Sequence, residues 1–211
     1  MSPPVGPTGL PGQCDGSEPP TWQVSGTVSG FSTDIVFNGM RVAVQQFATT
    51  ATVGHFPSPR IGWSITAGGV LGGKIGDADI SSGATASGTV SWLPVYERPS
   101  RPFVALTGSL GAGYARAQAD QMTQSWWAFD ARAGVAVGKT LADHWVPYLA
   151  ARAFGGPVFW RIAGADVTGS DRFHVTVGAG LTVRLPRSVD LTAEGMPLGE
   201  RSAALGLTLH L

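Results

Sequence analysis

Phe173-His174-Val175-Thr176-Val177-Gly178-Ala179-Gly180-Leu181-Thr182-Val183-Arg184-Leu185 decides the fold. Phe173, Val175, Val177, Ala179, Leu181, Val183 and Leu185 share one parity. His174, Thr176, Gly178, Gly180, Thr182 and Arg184 share the other. A period of two held this long specifies a β-strand with one apolar face and one polar or small face.

The pattern recurs outward from this stretch. Ala203, Leu205, Leu207, Leu209 and Leu211 alternate with Ser202, Ala204, Gly206, Thr208 and His210. Trp127, Phe129, Ala131, Ala133, Val135 and Val137 alternate with Asp130, Arg132, Gly134, Ala136 and Gly138, and Val104, Leu106, Leu110, Ala112 and Tyr114 with Ala105, Thr107, Ser109, Gly111 and Gly113. A soluble barrel or sandwich turns its bulky apolar side chains inward and its charged ones to water. Here the second face is Gly, Ser, Thr and Ala, and the chain of 211 residues has only two lysines, Lys74 and Lys139. A small, partly polar face suits a narrow interior, and the apolar face suits lipid. The pattern therefore predicts a transmembrane antiparallel up-and-down β-barrel of about ten strands, with eight as the fallback.

Composition agrees. Glycine supplies 30 residues, about twice the ordinary share, without a collagen period. Charged residues make up 13%, with 14 basic against 14 acidic, so no electrostatic footprint for nucleic acid exists. The lone Cys14 forms no internal disulfide and no zinc site. No run approaches the length of a membrane helix, so a spanning chain must close into a barrel. Residues 1–20 are read as a flexible Pro/Gly-rich segment and 21–211 as the barrel. Met1 to Pro20 lack a basic start and an apolar core, so the expected export signal is removed or omitted.

Ten strands are expected at about 22–31, 40–56, 61–73, 83–93, 102–116, 126–138, 147–162, 173–185, 188–196 and 202–211. A phase slip at Gln45-Gln46 reads as a β-bulge. Gly155-Gly156-Pro157 interrupts the seventh strand, whose upper part is assigned to an external extension. Periplasmic turns fall at Pro57-Ser58-Pro59, Pro94 to Arg101, Lys139 to Trp145 and Pro186-Arg187. External loops fall at Ser32 to Gly39, Lys74 to Gly83, Ala117 to Ser125, Ala163 to Asp171 and Pro197 to Arg201. Aromatic residues gather at both levels. Trp63, Trp92, Tyr96, Phe103, Trp145 and Tyr148 mark the lower ends, and Tyr114, Trp126, Trp127, Phe159, Trp160 and Phe173 the upper. Two such belts are expected where amphipathic rings meet headgroups.

The final Gly206-Leu207-Thr208-Leu209-His210-Leu211 resembles the C-terminal strand by which bacterial outer-membrane proteins are recognised for insertion. Gly206, Leu209 and Leu211 match its spacing; Leu211 stands where an aromatic residue is usual, and Ala204 where a polar one is. Over about residues 22–211 the layout resembles the broad class of small Gram-negative outer-membrane barrels, some of them porin-like. The resemblance implies the outer membrane as location. It also implies the lipid bilayer, lipopolysaccharide and the insertion machinery as partners, with another envelope protein as a further option. The class shares no active site and implies no cofactor.

Candidate chemistry lies inside the barrel. Alternation turns Asp130, Arg132, Arg152, Arg184, Asp190, Glu194 and His210 toward the lumen. The short Pro186-Arg187 turn sets Arg184 near Asp190 at the periplasmic end, within reach of His210. Buried charge is costly unless paired, so a plug of ion pairs is preferred to a gate. Arg172-Phe173-His174-Val175-Thr176 loosely resembles the His-x-Ser pair of outer-membrane lipid A deacylases, with Thr176 for serine. Asp166, Asp171 and His174 echo the acids and histidine of ten-stranded outer-membrane proteases. Alternation turns His174 toward the lumen instead of lipid, against the first likeness; Asp-rich loops are usually just solvated, against the second; and the four histidines share no metal spacing. The expected function is a non-enzymatic envelope barrel, largely filled, acting through external loops or periplasmic turns. A narrow passive channel is the alternative, and an outer-membrane hydrolase stands behind it.

Overall fold

A computed structural model describes residues 22–119, 122–162 and 165–211; the expected N-terminal segment and Cys14 lie outside them. The elements are β1 (Trp22–Phe37), β2 (Met40–Ser58), β3 (Ile61–Ile75), β4 (Ala78–Val95), β5 (Phe103–Ala119), β6 (Met122–Gly138), β7 (Trp145–Gly155), β8 (Pro157–Ile162), β9 (Ala165–Asp171), β10 (Val175–Leu185), β11 (Val189–Leu198) and β12 (Arg201–His210). All pairings are antiparallel. β1 through β7, then β10, β11 and β12, form a ring of ten that closes where β12 meets β1 in the register Val28↔Leu205.

The outward side chains of this ring are apolar. Val104, Leu106, Leu110 and Tyr114 show the band on β5, and Leu205, Leu207 and Leu209 on β12. Val104 and Tyr114 stand ten residues apart on β5. At about 3.3 Å per residue and a tilt of about 40°, this spans about 25 Å, the height of an apolar membrane band. Leu110 is 70% exposed, which in water would be costly and in lipid is not.

Above the band the barrel changes construction. β6 exchanges β7 for β8 as its neighbour, and β1 exchanges β12 for β9. Since β8 and β9 form a hairpin, the upper ring is β1 to β6 with β8 and β9, eight strands instead of ten. Gly155-Gly156-Pro157 interrupts the strand that runs beside β6, and β8 continues along β6 in the register of β7, from Ala131↔Gly155 to Ala128↔Val158, into the expected external extension. A Cβ on Gly156 would lie 1.9 Å from the Phe129 carbonyl oxygen, so only glycine passes there.

Hydropathy inverts at the same level. In the lower part of β1, Val24 and Val28 face out while Gln23, Thr27 and Ser29 face in. In its upper part Phe31, Ile35 and Phe37 face in while Ser32 and Asp34 face out. β2 follows, with Val53 and Phe47 outward below and Val44 inward above. The wall alternates without interruption; its surroundings change. Lipid outside asks for an apolar exterior, and water outside asks for an apolar core.

Two expectations are corrected by this inversion. The stretches Ser32 to Gly39, Lys74 to Gly83, Ala117 to Ser125 and Ala163 to Asp171 are mostly strand, not loop, wherever they are described. Their polar residues are the outer face of a water-exposed barrel wall, and their alternating apolar partners fill it. Asn38-Gly39, with φ of 47° and 85°, closes β1–β2 in two residues. Gln45-Gln46 is no bulge either, since β1 and β2 pair in unbroken register through it. The irregularity is in β3, where Gly72 faces Phe47 and Val70 faces Ala48. What resembled a phase slip is the inversion itself.

Candidate functional site

The interior is layered. At the lower end Leu93, Phe103, Val146 and Tyr148 pack as a buried cluster with Tyr96 against it. Phe56 covers Gly62 beside them, leaving no room for a Cβ. His210 Nε2 lies 2.8 Å from Asp190 Oδ2 at this level. Arg184 is the register partner of Asp190 across β10–β11, yet no ion pair joins them among the described residues, which corrects the expected Arg184–Asp190 pair. The strand adjacent on the other side, β12, brings His210 closer, because Asp190 pairs with Thr208 there.

The middle is lined by hydroxyls. Thr52 and Thr66 touch across β2–β3 at 2.7 Å, and Thr182 and Thr192 across β10–β11 at 2.9 Å. Arg152 pairs with Glu194, whose second carboxylate oxygen accepts the Tyr148 hydroxyl at 2.9 Å. Three side chains from two strands, Tyr148 and Arg152 of β7 and Glu194 of β11, are thereby tied together, and each is buried.

At the junction of the two rings sits a denser cluster. Arg132 pairs with Asp130 two residues earlier on β6 and reaches across to Glu200 Oε1 at 3.0 Å. Its guanidinium also lies 5.2 Å over the Phe154 ring. Glu200 was not among the residues expected here. Its even parity with Ser202 and Ala204 on β12 is the signal that would have found it, since even residues of that strand face inward. Gly199, at φ +82°, makes the inward turn possible, and the Thr176 hydroxyl lies 2.7 and 2.9 Å from the Leu198 and Glu200 carbonyl oxygens it can donate to.

Asp171, at the end of β9, completes the junction. It is 3% exposed, and neither carboxylate oxygen has a hydrogen-bond partner among the described residues. Burial pushes its carboxyl up to about 6; Glu200 and Asp130 push the same way and Arg132 opposes them. The level is above the membrane, because the outward residues beside it, Ser170 and Asp34, are polar. Over the junction lies the roof, a buried apolar core of Phe31, Ile35, Phe37, Val44, Ile75, Ile80, Trp126, Phe154, Val158 and Trp160 with their smaller neighbours.

The aromatic residues divide. Trp63, Trp92 and Trp145 are outward and roughly 40–50% exposed at the lower rim, where Trp22 joins Trp63 at 6.1 Å between ring centroids. Tyr96 receives Arg60 Nε on its hydroxyl at 3.3 Å. Trp127 and Phe159 are outward at the upper rim, with the Tyr114 ring tilted against Trp127 at 4.6 Å between centroids. Tyr148, Trp126 and Trp160, expected in these belts, are buried and face inward, as is Phe103. Parity explains it: Trp126 adjoins Trp127 and Trp160 adjoins Phe159, so one of each pair must point in. At the terminal strand Gly206 faces the interior, while Leu209 and Leu211 are exposed on the outer face.

The residues considered for hydrolysis do not converge. Asp166 is outward and pairs with Arg161 at 3.6 Å. Asp171 is inside the junction, and exposed His174 lies 3.3 Å from the Phe154 carbonyl through Nδ1. Thr176 is inward and spent on the β11–β12 turn. Among the described residues no group of three or more His, Cys, Asp or Glu side chains is arranged to hold a metal ion.

No protein-family model matches the chain, and no curated protein matches its sequence. Solved structures do match in fold. The outer membrane protease OmpT from Escherichia coli superposes with a TM-score of 0.55 at 7% identity, covering 91% of this chain and 95% of that one. The translocator domain of the autotransporter NalP from Neisseria meningitidis gives 0.53 at 12% identity, covering 90% and 88%. Both are barrels of the bacterial outer membrane, and the chain shares their fold. With the apolar band and two girdles it carries, the protein has the fold of an outer-membrane β-barrel.

Proposed function

We propose that this outer-membrane barrel is a non-enzymatic envelope protein, closed along its axis, which works through the rigid extension it raises above the bilayer. The observation that carries the reading is the stacking of the interior. An apolar floor, paired charges at mid-height and an aromatic roof, stacked among the described residues, support a filled lumen. A ten-stranded ring is only slightly wider than the eight-stranded rings that side chains alone fill. Here Arg132, Arg152, Tyr148 and the acids that bind them occupy the difference.

The hydroxyl-lined middle favours a second reading, a narrow passive channel that opens when the floor or roof moves. Reconstitution into planar bilayers decides between them. The closed barrel gives no stepwise conductance at moderate voltage; reproducible single-channel steps from the folded protein would overturn it.

A further inference from the structure

The ten-strand ring is lopsided inside. One inward row runs Thr27, Thr50, Gly68, Thr85 and Gly113 across β1 to β5, each the register partner of the next. The row below it, from Ser25 to Gly111, is again serine, threonine and glycine. Neither row holds a side chain longer than threonine. The long side chains Arg132, Tyr148 and Arg152 stand on β6 and β7, and Asp130, Glu194 and Glu200 hold the arginines to their own side.

Ten strands about 4.8 Å apart and tilted about 40° make a ring about 20 Å across between facing Cα atoms. Short hydroxyl side chains cannot cover one another over that width. Thr50, Thr66, Thr85 and Ser87 are nonetheless buried. Thr50 Oγ1 and Ser87 Oγ have no hydrogen-bond partner among the described residues. A hydroxyl shut off from water and left unbonded is costly, so this half of the lumen calls for an occupant that brings hydrogen-bond acceptors.

The lower end offers a way in. The apolar floor of Leu93, Phe103 and Val146 stands on β4, β5 and β7. The strands from β10 to β12 carry Arg184, Asp190 and His210 instead. Asp190 is tied to His210, which leaves Arg184 inward with no ion pair among the described residues.

The 21 residues ahead of β1 carry the matching chemistry. They hold six prolines, Asp15 and Glu18, and no lysine, arginine or histidine. Each proline lacks an N–H, so the segment is rich in carbonyl acceptors, poor in donors and unsuited to extending the sheet. Fully extended it reaches about 70 Å, more than twice the height of the apolar band. Arg184 lies three strand spacings from Ser25, through Asp190 and Thr208, or about 14 Å. The chain from Glu18 to Ser25 spans up to about 23 Å, so the carboxylate can meet the guanidinium.

We propose that residues 1–21 turn back into the ring beside Arg184 and fill its β1–β5 half. Glu18 pairs with Arg184, and the proline-rich carbonyls accept hydrogen bonds from the wall hydroxyls. Charge and hydrogen-bond complementarity select this occupant. An acyl chain would leave the hydroxyls unbonded, and a small anion would satisfy Arg184 without filling the lumen. The proposal rests on the filled-lumen reading and names what completes the filling.

The single cysteine, Cys14, lies in the segment and reports on it. In the folded full chain in detergent, a bulky polymer maleimide should label Cys14 at least tenfold more slowly than Ser100→Cys, exposed in the β4–β5 turn of a Cys14→Ser background. Arg184→Glu should raise the Cys14 rate at least tenfold, and adding Glu18→Arg should restore protection. Also in the Cys14→Ser background, Thr66→Cys should resist a water-soluble methanethiosulfonate reagent. Removing residues 1–20 should speed that reaction at least tenfold. Heat-modifiable gel migration checks that each variant is folded, and if one is not, the Cys14 rate in the full chain still decides. Cys14 as reactive as Ser100→Cys would overturn the plug and leave the lumen to another occupant, as would a Thr66→Cys rate unchanged by the deletion. A charge-swapped variant that labels as fast as Arg184→Glu would overturn the pairing at the entry. Conductance steps from the full chain would instead overturn the filled-lumen reading itself, and the plug with it.

Discussion

Asp171→Asn should stabilise the protein at neutral pH, which is unusual for a change at a buried polar residue. The carboxyl is 3% exposed, has no hydrogen-bond partner on either oxygen among the described residues and is pushed from 3.8 up to about 6. Burial is the main cause, and the carboxylates of Glu200 and Asp130 add to it. A raised carboxyl means that the folded state holds its proton more tightly than the unfolded chain does, so stability falls as pH rises through this window. The penalty is absent below about pH 4, grows through the window and is complete above about pH 6. Its full size is the rise from 3.8 to about 6, which at about 1.4 kcal/mol per pH unit amounts to about 3 kcal/mol. Asparagine keeps the shape and cannot ionise. In reversible urea unfolding followed by tryptophan fluorescence, the variant should exceed the parent by up to about 3 kcal/mol at pH 8 and match it near pH 4. A gain of the same size at both pH values, or a loss at pH 8, would refute the reasoning. The first would mean the charge is irrelevant, and the second that Arg132 holds Asp171 ionised after all.

Other consequences follow from the same geometry. Leu110→Arg puts a charge into the lipid band and should cost about 2–4 kcal/mol in unfolding from vesicles, whereas Gln118→Arg, on the same face above the band, should cost under about 0.5 kcal/mol. Arg132→Met leaves Asp130 and Glu200 buried without their arginine and should cost about 3–5 kcal/mol; adding Asp130→Asn and Glu200→Gln should recover most of it. Gly199→Ala, whose Cβ would fall 1.9 Å from the Val175 carbonyl oxygen at φ +82°, should cost about 1–3 kcal/mol and lower the hydrogen-exchange protection of the β11–β12 turn.

The membrane ring was legible in the sequence because lipid imposes a simple rule on it. Leu205, Leu207 and Leu209 on one parity and Thr208 and His210 on the other admit one arrangement in a bilayer. The extension was not, because its rule is the opposite one. Phe31, Ile35 and Phe37 sit on the parity that is polar lower in the same strand, so a reading tuned to a lipid exterior took the segment for loop. The interior charges were assigned to the right face, since parity alone fixes that. Their partners were not, because pairing depends on reach across the lumen. Arg132 finds Glu200 sixty-eight residues away on a turn, and Asp190 finds His210 instead of its register partner Arg184.

The change from ten strands to eight gives the inversion a structural cause. A ring of eight is just wide enough for side chains to fill, so the part standing in water can close over a conventional core of Phe31, Ile35, Trp126 and Trp160. A ring of ten encloses more space, and in this protein the added width is taken up by Arg132, Arg152, Tyr148 and their acids. β11 and β12 are the strands that end at the step, and their turn is where Glu200 folds inward to meet Arg132. The charged junction therefore lies where the wall loses two strands and the lining passes from polar to apolar. Asp171 ends the hairpin that takes their place beside β1, with neither oxygen hydrogen-bonded among the described residues. Its ionisation strains the seam between the two rings, so a rise in pH should loosen the β8–β9 hairpin before it loosens the membrane ring beneath.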